Sequence, residues 1–198
     1  MQWYESEVAA MEELQQRSPA PPSPIVFYGS SSIRLWDSLA DDFPGLPVVN
    51  RGFGGATMAA CSWFFWRLVR PLAPRSVVLY AGDNDLSDGA TPENVLAQLD
   101  HLTRQLDAGC GPGTRLALLS VKVSPTRLHL APKISELNRG LQAAAERRPN
   151  SLWIDVASVL MSSGRPDPRF FQDDGLHLNP SGYEAWTGAI RGFLPQIS

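Results

Sequence analysis

Four short segments, far apart in the chain, carry the residue types that acyl transfer requires. Gly29-Ser30-Ser31-Ser32 offers hydroxyls on a tight turn, and Gly52-Phe53-Gly54-Gly55 a backbone that can approach a ligand closely. Gly82-Asp83-Asn84-Asp85 supplies a side-chain amide, and Asp174-Gly175-Leu176-His177 a carboxylate three residues before an imidazole. A serine hydroxyl attacks a carbonyl only when a neutral imidazole takes its proton. The imidazole in turn needs a carboxylate on its other nitrogen, and the oxygen that becomes negative needs N–H donors aimed at it. Nucleophile, base, orienter and oxyanion donors of ester hydrolysis are all represented.

Competing chemistries fail on spacing. The run from Gly52 lacks the last glycine of a dinucleotide fingerprint, because Thr57 stands there. The acidic run from Asp83 is no calcium loop, since Asp88 replaces the required glycine and Asn94 the bidentate glutamate. Of the three histidines, His101 falls in a helical stretch beside Asp100, whose side chain points in a different direction, and His129 falls in a loop after the fourth apolar run. His177 remains as the base, with Asp174 or Asp173 as its orienter. Trp63-Phe64-Phe65-Trp66 cannot all face one way on a helix, so most belong to the core, with one or two at a crevice wall or dimer face. Arg34 and Arg127 are available to a polar substrate or to the surface.

These segments must be positioned by the elements around them. Strand-like apolar runs lie at Ile25–Tyr28, Pro47–Asn50, Ser76–Ala81, Arg115–Val121 and Leu152–Val156. Helical patterns lie between them at Leu35–Phe43, Met58–Leu72, Thr91–Asp107 and Ser135–Arg148, with a last one at Ser181–Leu194. Nearly continuous apolar strands alternating with helices predict a doubly wound α/β sandwich with helices on both faces of a parallel sheet. In such sheets the ligand crevice lies beyond the carboxyl ends of the strands, where the Ser30–Ser32, Gly52–Gly55 and Gly82–Asp85 segments all fall. Ahead of them, Tyr4, Val8, Met11 and Leu14 recur at helical spacing, followed by the stiff Ser18–Pro24 linker. Residues 1–24 therefore form an N-terminal helix and linker, folded back on the domain or serving as a dimerisation arm, without a catalytic part; residues 25–198 form one domain.

At 198 residues the chain can bury a full core unaided, and its net charge of −3 offers no basic footprint for nucleic acid. Cys61 and Cys110 have neither a disulfide framework nor a metal-ligand spacing, and read as apolar residues. Met1–Pro24 is acidic, with no apolar h-region and no membrane span, which points to the cytoplasm. The expected partner is a small-molecule ester; a homo-oligomer is left open.

The four segments resemble blocks I, II, III and V of the SGNH (GDSL-type) hydrolase superfamily, in the family's order, over nearly the whole chain. Asp174 to Tyr183 is the closest match, whereas block I departs from Gly-Asp-Ser by having Ser30 where the family has Asp. The resemblance implies a three-layer α/β/α sandwich with a flavodoxin-like five-stranded parallel sheet. It implies Ser31 as nucleophile, Ser32 or Ser30 being suited by type to a helix cap, with Asp174 and His177 as its partners and an oxyanion hole from the N–H groups of Ser31 and Gly55 and the Asn84 amide. Gly54 is the alternative to Gly55. Neither metal nor organic cofactor is implied. The resemblance leaves several ester hydrolases open: a general acylhydrolase, a carbohydrate O-deacetylase, a lysophospholipase-like enzyme and a thioesterase. A ligand-binding module that has lost catalysis is the reading from outside the enzymes, suggested by Ser30.

Overall fold

The five apolar runs form strands β1 (Ile25–Gly29), β2 (Val48–Gly52), β3 (Ser76–Tyr80), β4 (Arg115–Leu119) and β5 (Ser151–Ile154). All neighbours pair in parallel, in the order β2-β1-β3-β4-β5, which is the flavodoxin-like sheet expected. The structure is a computed structural model and describes residues 1–193; Leu194, the expected end of the last helix, and the chain to Ser198 lie outside the described residues.

Every residue of β1 and β3 is buried, because helices cover both faces of the sheet. Side chains alternate across a strand, so successive residues enter different cores. Val26, Tyr28, Val77 and Leu79 pack with α4 (Met58–Leu68), α6 (Pro92–Cys110) and α7 (Ala131–Arg147). Ile25, Phe27, Val78 and Tyr80 pack on the other side with Ile33, Trp36, Phe43 and the last helix, α8 (Pro180–Arg191), through Trp186 and Ile190.

The structure divides the helix expected at Leu35–Phe43. Two single turns replace it, α2 (Ser31–Arg34) and α3 (Leu39–Asp42). Trp36, Leu39 and Phe43 produced the helical pattern, and all three are buried. Between the turns, Asp42 accepts from both Trp36 Nε1 and Ser38 Oγ at 2.6 Å, which seats the Trp36 indole against Phe27, Phe43, Tyr183 and Trp186. The helix expected from Ser135 starts four residues earlier, because Pro132 suits a first helical turn, where its missing N–H has no partner to lose.

At the other end, α1 (Glu5–Arg17) lies back on α4. Val8 is buried there, and Arg67 of α4 pairs with Glu5 at 2.8 Å and Glu12 at 2.6 Å. Residues 18–24 form neither helix nor strand. Among the described residues, no helix is long and apolar enough to cross a membrane.

Candidate active site

The carboxyl ends of three strands are in register, with Gly29 opposite both Gly52 and Tyr80. At that edge the chain turns into Ser30 and α2. Gly29 has φ of +140°, and a Cβ there would lie 1.9 Å from the Tyr80 carbonyl oxygen, so the turn requires glycine. The Ser30 N–H then donates to that oxygen at 3.0 Å and the Phe53 N–H to Gly29 O at 3.0 Å, fastening the first two segments together. Asn50 adds a bond from its amide to Ile33 O at 2.6 Å.

Ser31 is the first residue of α2, and its Oγ lies 3.1 Å from His177 Nε2. His177 Nδ1 lies 2.6 Å from Asp174 Oδ2. The other carboxylate oxygen, Oδ1, accepts the N–H groups of Leu176 at 2.8 Å and His177 at 2.9 Å. The turn between them depends on Gly175, at φ of +62°, whose carbonyl accepts from the N–H and hydroxyl of Thr126. Burial raises the Asp174 carboxyl, but the two backbone N–H groups and the His177 ring outweigh it and hold its pKa down to about 2. Asp174 is therefore an anion at neutral pH. The segment is anchored from behind, where Asn179 caps α8 and the Tyr183 hydroxyl donates to Ser32 O at 3.1 Å.

The glycine loop and the Asn84 segment also meet. Asn84 Nδ2 donates to Ala56 O at 3.1 Å, while Arg127 donates to Asn84 Oδ1 at 2.9 Å. Arginine can only donate, so this contact fixes which end of the amide is which and leaves the second Nδ2 hydrogen for another acceptor. In the loop, Glu7 takes the Gly54 N–H at 2.8 Å, the Tyr4 hydroxyl donates to Gly55 O at 3.1 Å, and no described group accepts the Gly55 N–H. Of the two glycines considered, Gly55 thus has the N–H available to a ligand. Asp85 ties the two segments together by accepting the Met58 N–H with both oxygens at 3.0 Å, and burial pushes its pKa up to about 6.

The profile of the GDSL-like lipase/acylhydrolase family matches residues 23–185. This chain belongs to that family. No curated protein matches the sequence. Among solved structures, this GDSL-type chain is similar to a protein from Streptococcus pneumonia provisionally described as a platelet activating factor, with 22% identity over 96% of this chain and 92% of that one, and a TM-score of 0.85. A GDSL-like lipase from Bacteroides thetaiotaomicron VPI-5482 matches at 20% identity over 96% and 100% of the two chains, with a TM-score of 0.79. A variant of an acetyl-xylooligosaccharide esterase from Geobacillus matches at 16% identity over 90% and 96%, with a TM-score of 0.67. These likenesses are of fold; the family match makes the chain a hydrolase of esters.

Several candidates of this GDSL hydrolase lie outside the constellation. His101 and His129 are exposed, and Asp173 is exposed with no bond to the His177 ring. Phe64 and Phe65 are core residues, whereas Trp63 and Trp66 face outward. Arg34 is half-exposed, 3.9 Å from Glu7. Cys61 is buried and Cys110 half-buried, and both are free. A cavity of about 620 Å³, lined by Leu116, Ser151, Arg104 and Arg148, lies at the opposite ends of β4 and β5 and takes no part in the site. Among the described residues, no cluster of three His, Cys, Asp or Glu could hold a metal.

The sequence reading missed Tyr4 and Glu7, which brace the glycine loop, and a buried network under Ser31 made by Ser32, Tyr80, Asp83, Lys122 and Arg127. One signal was present for the network. Lys122 stands between Val121 and Val123, directly after the apolar run Arg115–Val121, where a lysine needs a reason.

Proposed function

We propose that this GDSL hydrolase is a serine esterase that cleaves small carboxylic esters through an acyl-enzyme. The observation that carries the reading is the line from Ser31 Oγ to His177 Nε2 at 3.1 Å and from Nδ1 to Asp174 at 2.6 Å. Ser31 Oγ attacks the ester carbonyl carbon as its proton passes to Nε2, and Asp174 stabilises the imidazolium that results. The carbonyl oxygen takes the negative charge and is met by the N–H groups of Ser31 and Gly55 and the free Asn84 amide hydrogen. Collapse breaks the bond to the alkoxy oxygen, which leaves as the alcohol with the proton from His177. Water, deprotonated by the same nitrogen, then attacks the acyl carbon, the bond to Ser31 Oγ breaks to release the acid, and the proton on His177 returns to Ser31.

Ser30, the departure from the family pattern, speaks weakly for a degenerate binding module, because its buried hydroxyl has no hydrogen-bond partner and plays no part in this line. Fluorophosphonate labelling tests the reading. Wild-type protein is expected to be labelled on Ser31, and Ser31→Ala to lose both label and hydrolysis of a short-chain nitrophenyl ester while Ser30→Ala keeps both. A wild-type protein that takes no label and hydrolyses no ester would identify a binding module instead.

A further inference from the structure

Beneath the nucleophile turn lies a lysine that the mechanism above does not use. The Lys122 side chain is 2% exposed, and its Nζ sits 3.1 Å from Ser32 Oγ, 3.2 Å from the Tyr80 hydroxyl and 3.5 Å from Asp83 Oδ2. An ammonium has three hydrogens to donate, and three acceptors surround it. Burial pushes the Lys122 pKa down, and the Asp83 carboxylate beside it opposes that shift. If the site needed only bulk, methionine would fill it without the cost of burying an ion.

The contacts of this one ammonium lead to both halves of the site. Ser32 follows Ser31 directly, and with its hydroxyl on Lys122 and its carbonyl on Tyr183 it is held at both ends. Asp83 precedes Asn84 directly and is shared between Lys122 and Arg127, whose NH1 lies 3.0 Å away. Arg127 donates its other nitrogen to Asn84 Oδ1 and so sets the direction of the amide. One chain of contacts therefore runs Ser31-Ser32-Lys122-Asp83-Arg127-Asn84, from the attacking oxygen to a donor for the oxyanion. The cluster sets two cationic side chains, Lys122 and Arg127, on the one carboxylate of Asp83, and the Asp174 charge also acts on Lys122.

We propose that Lys122 is a positioning residue for ester hydrolysis: it fixes the Ser31 turn and the Asn84 amide relative to each other without touching the substrate. The inference rests on the serine-esterase reading, and it goes beyond the family's blocks because Lys122 belongs to none of them. A misplacement of about 1 Å at a reacting centre can cost about 10² in rate, and it acts on turnover rather than on ground-state binding.

Lys122→Met tests this, assayed on a short-chain nitrophenyl ester with kcat expressed per fluorophosphonate-titrated site, so that unfolded protein is not counted. The expected result is a kcat lower by about ten- to a hundredfold with KM within about twofold. A titrated Lys122→Met enzyme with kcat within twofold of wild type overturns the proposal. Should that variant not fold, Ser32→Ala removes the contact joining Lys122 to the nucleophile turn and leaves the Asp83 ion pair in place. It is expected to lose about three- to tenfold in kcat at constant KM, roughly the effect of one hydrogen bond; an unchanged kcat overturns the link. Absence of label and turnover in the wild type would instead overturn the esterase reading beneath it.

Discussion

Asp174→Asn is the substitution whose outcome the geometry constrains most. Asp174 Oδ1 accepts two backbone N–H groups, and Oδ2 faces Nδ1 of His177. An asparagine that keeps its oxygen on the two N–H groups turns its NH2 toward Nδ1. That nitrogen must then accept, the ring proton moves to Nε2, and His177 can no longer take a proton from Ser31. The flipped amide would restore the right tautomer but would point an NH2 at two N–H donors. Losing two backbone bonds costs about 2 to 3 kcal/mol, so the productive form would be roughly one molecule in 30 to 150. The loss in kcat should therefore be at least about 30-fold, approaching the roughly 10⁴ seen when the orienting carboxylate of a serine protease is made an amide.

The assay is kcat and KM on a nitrophenyl ester across pH, with the melting temperature as control. KM should move by less than about threefold, since Asp174 does not reach the substrate in this mechanism. A folded Asp174→Asn enzyme with kcat within tenfold of wild type would refute the pairing. Asp173→Asn is the matched control and should leave kcat within about twofold, because that side chain is exposed and does not bond the ring.

Asn84→Ala removes a donor that Arg127 has oriented, and is expected to lower kcat by about 10² to 10³ with a much smaller change in KM; an effect confined to KM would make Asn84 a ground-state binding group. Asp85→Asn addresses stability rather than chemistry. Asp85 binds its proton more tightly in the folded protein, where burial raises its pKa to about 6 from 3.8, so its contribution is full below about pH 4 and is lost as pH rises through about 6. The difference is worth about 3 kcal/mol. The amide introduced by Asp85→Asn cannot ionise yet keeps an oxygen for the Met58 N–H, so the variant should gain on wild type by up to that amount between pH 4 and 7. Parallel urea midpoints for the two proteins over that range would refute the burial argument.

What could be read from the sequence, and what could not, divides along physical lines. The sheet was legible because its strands are apolar on both faces and separated by helices long enough to show a period. The Asp174–His177 unit was legible because its contacts span three residues, and Gly175 marks the left-handed turn that closes it. The division of Leu35–Phe43 was not, since Trp36, Leu39 and Phe43 keep a helical period while Asp42 holds Trp36 and Ser38 in a turn only once the chain has folded. That the Gly54 N–H is taken was illegible for a similar reason, since its acceptor is Glu7, 47 residues away on a helix read as having no catalytic part.

The network under Ser31 is the extreme case of that distance. Ser32 and Lys122 are 90 residues apart, and Lys122 belongs to none of the four short segments. Serine at position 32 looks like any helix-capping hydroxyl, and Asp83 like any turn residue, until the segment after the fourth strand brings an ammonium between them. Residues that touch substrate can be found from local segments because reacting groups must sit on sharp turns, and sharp turns leave glycines. Residues that hold those turns still are drawn from the whole fold, and a buried charge at the end of an apolar strand run is the trace they leave. Lys122 carries that trace, which makes its removal the most direct test of whether the site is held in register from beneath.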